Sequence, residues 1–300
     1  MPWLESIIKV RDMNQYNEYS PLLQIAIRDS KNAFVSQEKL DKEWKNLRFH
    51  AMPYINHANA EFDSFRQLLK QTGADIIDLP ASDNLTLDSI YPRDSTLICP
   101  KGIIVCNMGR STRTPEATIN MSTYESYGHT VAGRIVSPGT LEGGDFIWID
   151  EHHAAVGLGP RTNQEGINQL RAILGAGVDL HVVPLPDPDH PDDVLHLMSI
   201  ISPIDKDLVL IYRPFMPDAF IEWLSNLGID CVEVPEDEYL MMGCNVLAIS
   251  PRRVIMLANL PGVKLVLEQQ GCRVYTYQGL DISRKGEGGP TCLTRPLIRG

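Results

Sequence analysis

The strongest constraint on this chain is a spacing. Short apolar pairs, each split by a polar turn, recur at roughly 50 residues, with turns near 101, 151, 204 and 251. Thr96–Cys99 and Ile103–Cys106 flank Pro100-Lys101-Gly102, and Phe146–Ile149 and Ala154–Leu158 flank residues 150–153. Leu195–Ile201 and Leu208–Tyr212 flank 202–207, while Val246–Ile249 and Val254–Leu257 flank 250–253. Apolar runs of strand length around tight turns predict hairpins. Helical patterns fall between them. Thr162-Asn163-Gln164-Glu165 reads as a capping box ahead of Ile167, Leu170, Ile173 and Leu174. Asp218–Leu227 stops at Gly228, and Pro261–Gln270 stops at Gly271. Hairpin–helix–strand units repeated about an axis predict an α/β propeller. A doubly wound parallel sheet would not favour so many tight hairpins.

Ahead of the first hairpin, residues 1–20 are polar and mixed and read as an approach segment. Leu22–Ile27 and Ile76–Pro80 read as strands, and residues 36–71 as largely helical up to a stop at Gly73. The whole of 1–300 is expected to form a single catalytic domain.

Net charge is −11 without long runs of one sign, which argues against nucleic acid or an anionic membrane surface as partner. The six cysteines include no CxxC pair, and several lie inside strand-like runs. Reduced thiols and a cytoplasmic setting are therefore expected. The start, Met1-Pro2-Trp3-Leu4-Glu5, lacks the basic and apolar regions of a signal peptide. No apolar run approaches a membrane span.

The polar residues of interest enter the repeats at matching places. Asp94 enters the first hairpin, Glu142 with Asp145 the second, His196 the third, and Cys292 a closing strand behind Gly288-Gly289-Pro290-Thr291. In a propeller, equivalent positions of successive units surround one axis. A thiol, an imidazole and carboxylates would then share one pocket, as nucleophilic catalysis with a base and an orienting group requires. Each residue also has an ordinary reading. Cys292 serves equally as a small buried hydrophobe, and Glu142 or Asp145 as a cap on the Gly143-Gly144 turn. His196 fits an apolar strand, and Arg93-Asp94 a local ion pair. Neither CxxC nor HxxxH spacing occurs, so no metal is expected. Arg161 precedes the predicted cap, where guanidinium and helix N-terminus could take a carboxylate or phosphate, and Arg113 is a weaker candidate.

Arg93-Asp94, Glu142-Gly143-Gly144-Asp145, Arg161-Thr162-Asn163, His196-Leu197 and Gly288-Gly289-Pro290-Thr291-Cys292 together resemble the guanidine-modifying superfamily. Its fold is the five-bladed α/β propeller called pentein. Its members include dimethylarginine dimethylaminohydrolases, arginine deiminases and amidinotransferases. The resemblance implies Cys292 as nucleophile, His196 as general acid/base, Glu142 as its carboxylate partner and Asp94 as guanidinium ligand. It further implies Arg161 and Arg113 as holders of a substrate carboxylate, with Asp145 and Met198 in the substrate-binding set. Arginine deiminases carry an aspartate where this chain has Met198, and amidinotransferases carry aromatics beside the cysteine, where Thr291 and Leu293 stand here. A dimethylarginine-type hydrolase is therefore expected, needing no cofactor and taking a small guanidine substrate. Arginine deiminase or dihydrolase, amidinotransferase, and non-catalytic binder of arginine-like ligands are the alternatives. A homodimer stays open.

Overall fold

A computed structural model describes residues 14–187 and 195–300. Most of the expected approach segment, along with Asp193 and Val194 ahead of His196, lies outside the described residues. Five three-stranded sheets make up the β-structure, and each repeats one plan. A central strand pairs antiparallel with one neighbour and parallel with the strand that returns from a helix. The chain therefore has the pentein fold.

In the first sheet, β1 (Leu22–Ile27) runs parallel to β2 (Asp75–Asp78) through α1 (Ile55–Lys70). The hairpins follow: β3 (Thr96–Cys99) with β4 (Gly102–Val105), then β6 (Phe146–Trp148) with β7 (His153–Leu158). Next come β9 (Ile201–Asp205) with β10 (Leu208–Ile211), and β12 (Leu247–Ser250) with β13 (Arg253–Leu257). Each hairpin feeds a helix: α2 (Thr114–Ser126), α3 (Gln164–Leu174), α4 (Asp218–Asn226) or α5 (Pro261–Gln269). The helices lead back to the outer strands β5 (Val131–Arg134), β8 (Asp179–Pro184), β11 (Asp230–Glu233) and β14 (Arg273–Tyr277). Finally β15 (Arg295–Arg299) pairs antiparallel with β1, with Leu22 opposite Arg299, and closes the ring.

Burial explains why the hairpins were readable. The two strands of each hairpin are largely buried on both faces, so they read as apolar runs rather than as alternation. Helix α1 buries one stripe, Ala58, Phe62, Phe65 and Leu69, whose three- and four-residue steps line one helical face. Phe65 packs on Phe62 and Tyr277 at ring separations of 6.0 and 4.8 Å. Truncation of Phe65 to alanine would cost about 3–5 kcal/mol.

One sequence expectation is refined and one corrected. The largely helical stretch 36–71 consists of two helices: a short one, Gln37–Glu43, ends well before α1, because residues 44–54 turn away and the Tyr54 amide donates to Asp281 at 2.7 Å. His196 does not lie within a strand. It caps a single 3₁₀ turn, Leu197–Ser199, and β9 begins only at Ile201. Among the described residues no helix is long and apolar enough to cross a membrane.

Candidate active site

The turns entering β3, β6 and β9 touch one another, and the turns before β12 and β15 bring Asn245 and Cys292 to the same place. Asp94, Glu142, His196 and Asn245 are all buried, whereas Cys292 keeps partial exposure. Gly144 makes the crowding possible. A Cβ there would stand 2.7 Å from both Asp94 Oδ1 and His196 Nδ1. Any larger residue would push these two groups apart.

The His196 Nε2–H points at Glu142 Oε2, 2.8 Å away. Burial alone would lower the His196 pKa, but the surrounding carboxylates of Asp94, Asp145 and Glu142 raise it to about 9. Burial likewise favours the neutral form of Glu142, yet His196 and Arg161 hold its pKa down to about 2. The pair is therefore an imidazolium facing a carboxylate at neutral pH. Glu142 is further fixed by the Arg110 N–H at 3.0 Å and by Arg161 Nη1 at 3.4 Å.

Asp94 is half engaged. Its Oδ2 accepts from Arg113 Nη1 at 2.5 Å, while the buried Oδ1 receives no hydrogen bond among the described residues and has only the His196 Nδ1 charge 3.9 Å away. Such an oxygen is costly to leave unpaired, which makes it a natural seat for a cation. The Cys292 thiol is pushed above its ordinary pKa by burial and by Asp94, against the lowering influence of Asn245, Thr291 and Arg93. Asn245 Nδ2 donates to Sγ at 3.3 Å, and its Oδ1 accepts from the Thr291 N–H at 3.0 Å.

Two recesses meet at Cys292 and His196. A polar one of about 20 Å3 is lined by Asp88, Asp94, Arg110, Arg113 and Arg161. A larger one of about 240 Å3 has an apolar wall of Met198, Tyr239, Leu240, Met241 and Met242 and a polar side with His50, Ser199, Arg284 and Glu287.

The structure thus brings together Cys292, His196, Glu142, Asp94, Arg161, Arg113 and Met198. Asp145 is the exception. Its Oδ2 accepts from the Thr162 hydroxyl at 2.7 Å and its Oδ1 from the Leu197 N–H at 3.0 Å, so it faces inward and lines neither recess. Burial raises its pKa to about 6. It shapes the His196 turn instead of meeting a ligand. Thr162, committed to Asp145, is not the helix cap; Asn163 caps α3 by accepting from the Gly166 N–H. Arg113 lines the polar recess with most of its donors engaged. Nε and Nη2 hold Glu116 at 2.8 Å, and Nη2 also meets the Tyr91 carbonyl. It braces Asp94 first.

Asn245 escaped the sequence analysis, as did Asp88, Arg110 and the residues 239–242. The signal for Asn245 was its position, since it enters the fourth hairpin as Asp94, Glu142 and His196 enter the first three. Asp94, Glu142 and His196 also offer ligand atoms within 4.8 Å of one another, the geometry of a metal site. Arg113 and Arg161 already partly neutralise the two carboxylates, which favours a single delocalised cation over a divalent ion.

Known proteins resemble this chain in sequence and in fold. The model of the family described as N,N dimethylarginine dimethylhydrolase, eukaryotic, matches residues 30–299. An uncharacterized protein, YkgA, of Bacillus subtilis is 29% identical over 250 residues, covering 82% of each chain. The N(G),N(G)-dimethylarginine dimethylaminohydrolase of Pseudomonas aeruginosa is 27% identical over 243 residues, 81% of this chain and 89% of that one. The saxitoxin-pathway amidinotransferase SxtG of Microseira wollei shares the fold, with a TM-score of 0.79 at 18% identity over 95% of this chain and 97% of that one.

Proposed function

From the premise that the chain belongs to the N,N-dimethylarginine dimethylhydrolase family, we propose that it hydrolyses an N-substituted, arginine-like guanidine through a covalent cysteine intermediate. The observation that carries this reading is the buried Asp94 Oδ1, which receives no hydrogen bond among the described residues and faces His196 Nδ1 at 3.9 Å, beside the Cys292 thiol and the His196–Glu142 pair. A guanidinium satisfies that oxygen with charge-assisted N–H donors.

The resting charges dictate an order of events. The thiol is neutral at first, because burial and Asp94 raise its pKa. A guanidinium docking on Asp94 adds positive charge beside Sγ, favours the thiolate, and lets the proton pass to solvent. The thiolate adds to the guanidinium carbon. The bond to the substituted nitrogen then breaks, and His196 gives that nitrogen its proton as the amine leaves. An S-alkylthiouronium remains on Cys292. Neutral His196 takes a proton from the water that adds to the same carbon. The C–S bond breaks, returning thiolate and releasing a ureido product such as citrulline. Glu142 keeps the imidazole oriented throughout and favours its charged form in the resting enzyme. Met198 in the wall supplies no hydrogen-bond acceptor of useful strength for an unsubstituted NH2, which favours N-alkylated guanidines over free arginine. Arg161, beside Glu142, is the residue we assign to a substrate carboxylate.

Incubation with arginine and its ω-N-methylated forms, following citrulline, ammonia and methylamines, tests the reading. Release of methylamine or dimethylamine, lost in Cys292→Ser, is the expected result. Ammonia from free arginine alone would point to a deiminase. A second reading, amidino transfer, draws on the room that the larger recess leaves for an acceptor amine. Labelled glycine or ornithine in the same assay would then take up the amidino carbon.

A further inference from the structure

The two recesses that meet at Cys292 and His196 differ in scale as well as chemistry. The larger one, apolar along the wall of Met198 and residues 239–242 and polar along His50, Arg284 and Glu287, holds about 240 Å3, against about 20 Å3 for the other. An apolar cavity of about 150 Å3 accepts a benzene ring.

Its wall is held in place. Glu238, in the one-turn helix Glu236–Tyr239, accepts the N–H groups of Gly262 and Val263, both at 2.7 Å. The Tyr239 ring stacks on Tyr212 with centroids 3.5 Å apart, and Phe215 meets Tyr239 edge-on at 5.4 Å. Downstream, Met242 takes a positive φ of 67°, and its carbonyl accepts the Asn245 N–H at 3.0 Å. Anchored at both ends, the segment is restrained from collapsing into the space. The thioethers of Met198, Met241 and Met242 adapt to varied apolar shapes. At the rim, Leu240 stands 90% exposed, a large apolar side chain left in water.

We propose that the ω-nitrogen substituent of the substrate is larger than methyl: an alkyl chain of several carbons or an aromatic ring, lying against Met198, Tyr239 and Met241. This inference deepens the guanidine-hydrolase reading and rests on it. The Cys292 C–S bond forms, the bond from carbon to the substituted nitrogen breaks, and that nitrogen keeps the electron pair. With a proton from His196 it leaves as the corresponding alkyl or aralkyl amine.

The test compares ω-N-methyl-, ω-N-propyl- and ω-N-benzylarginine by release of methylamine, propylamine and benzylamine. Each further buried methylene favours binding about fourfold. The kcat/KM for the propyl and benzyl forms should therefore exceed that for the methyl form by about tenfold or more. Met241→Trp should lower the benzyl-to-methyl ratio at least tenfold. Leu240→Trp, at an exposed position that packing does not require, should lower it in the same direction. Methylamine release with the larger forms rejected would overturn the inference and leave the hydrolase reading standing. Failure of all three substrates, with no amine or ureido product, would overturn both. A ratio unchanged in both tryptophan variants would remove the wall from substrate selection.

Discussion

The carboxamide of Asn245 lies 3.3 Å from the Cys292 sulfur, across a sequence separation of 47 residues. Its other end holds both the N–H and the hydroxyl of Thr291, so one side chain fixes the loop and offers the sulfur a donor. Asn245→Ala should lower kcat about 10- to 100-fold, the loss expected for a donor to a developing charge worth about 1.5–3 kcal/mol. The pH at which iodoacetamide reacts with Cys292 should rise as well. Unchanged kcat and labelling would confine Asn245 to a structural part.

Cys292→Ser should abolish turnover while leaving the thermal midpoint and ligand binding close to the parent values, because one atom is exchanged at a partly exposed site. Turnover by the serine protein would exclude the covalent route. In the parent protein, labelling of Cys292 should quicken about tenfold per pH unit from neutrality upward, since the thiolate reacts and its pKa is raised. Fast labelling at pH 7 without substrate would contradict that charge state.

The His196 pKa is raised from 6.5 to about 9 by folding. A raised value means that the charged pair with Glu142 contributes its full stability below about pH 6.5, and that this contribution is lost as pH climbs through about 9. The difference in denaturant midpoint between the parent and His196→Gln should therefore shrink from pH 6 to pH 10. A constant difference would show that the imidazole is not held charged.

Arg113→Ala should destabilise the protein by about 3–5 kcal/mol, because Asp94 and Glu116 would be left buried without their cation. Arg161→Ala should raise KM and also lower kcat, since Arg161 sits at the substrate recess and beside Glu142. An effect of Arg161→Ala on KM alone would separate it from the His196–Glu142 pair.

Met198→Asp should shift preference from N-alkylated guanidines toward free arginine by about tenfold or more, through an added acceptor and a lost apolar contact. Competition between arginine and its monomethyl form measures the shift. An unmoved ratio would mean that residue 198 does not touch the substituted nitrogen.

How much of this was legible in the sequence depends on what each segment buries. The hairpin strands bury apolar side chains on both faces, so their runs and turns stood out. Helix α2 did not, because its buried face includes Glu116 and Asn120. Glu116 holds Arg113, and Asn120 links Arg28 to Ser95. A helix that supports a charged site lacks the apolar stripe by which helices are recognised. The run Leu195–Ile201 misled in the opposite sense. It is apolar like a strand, yet Asp145 takes the Leu197 N–H and Ser199 Oγ takes the His196 N–H, bending the chain into a turn. Cys292, His196, Glu142 and Asp94 were visible because repetition put them at equivalent places. Asp145 shared that place, but its oxygens were claimed by Thr162 and Leu197, a choice that only three-dimensional packing reveals.

Cys292, the proposed nucleophile, sits three residues ahead of β15, the strand that pairs with β1 and sets Arg299 opposite Leu22. That pairing has among the largest sequence separations in the molecule, and contacts of this kind form late because loop entropy opposes them. The chemistry is thereby tied to assembly. A chain in which β15 has not yet paired with β1 lacks the placed Cys292 sulfur. During refolding, amine release should appear only with the last structural phase, so the reaction itself would serve as a clock for completion of the ring.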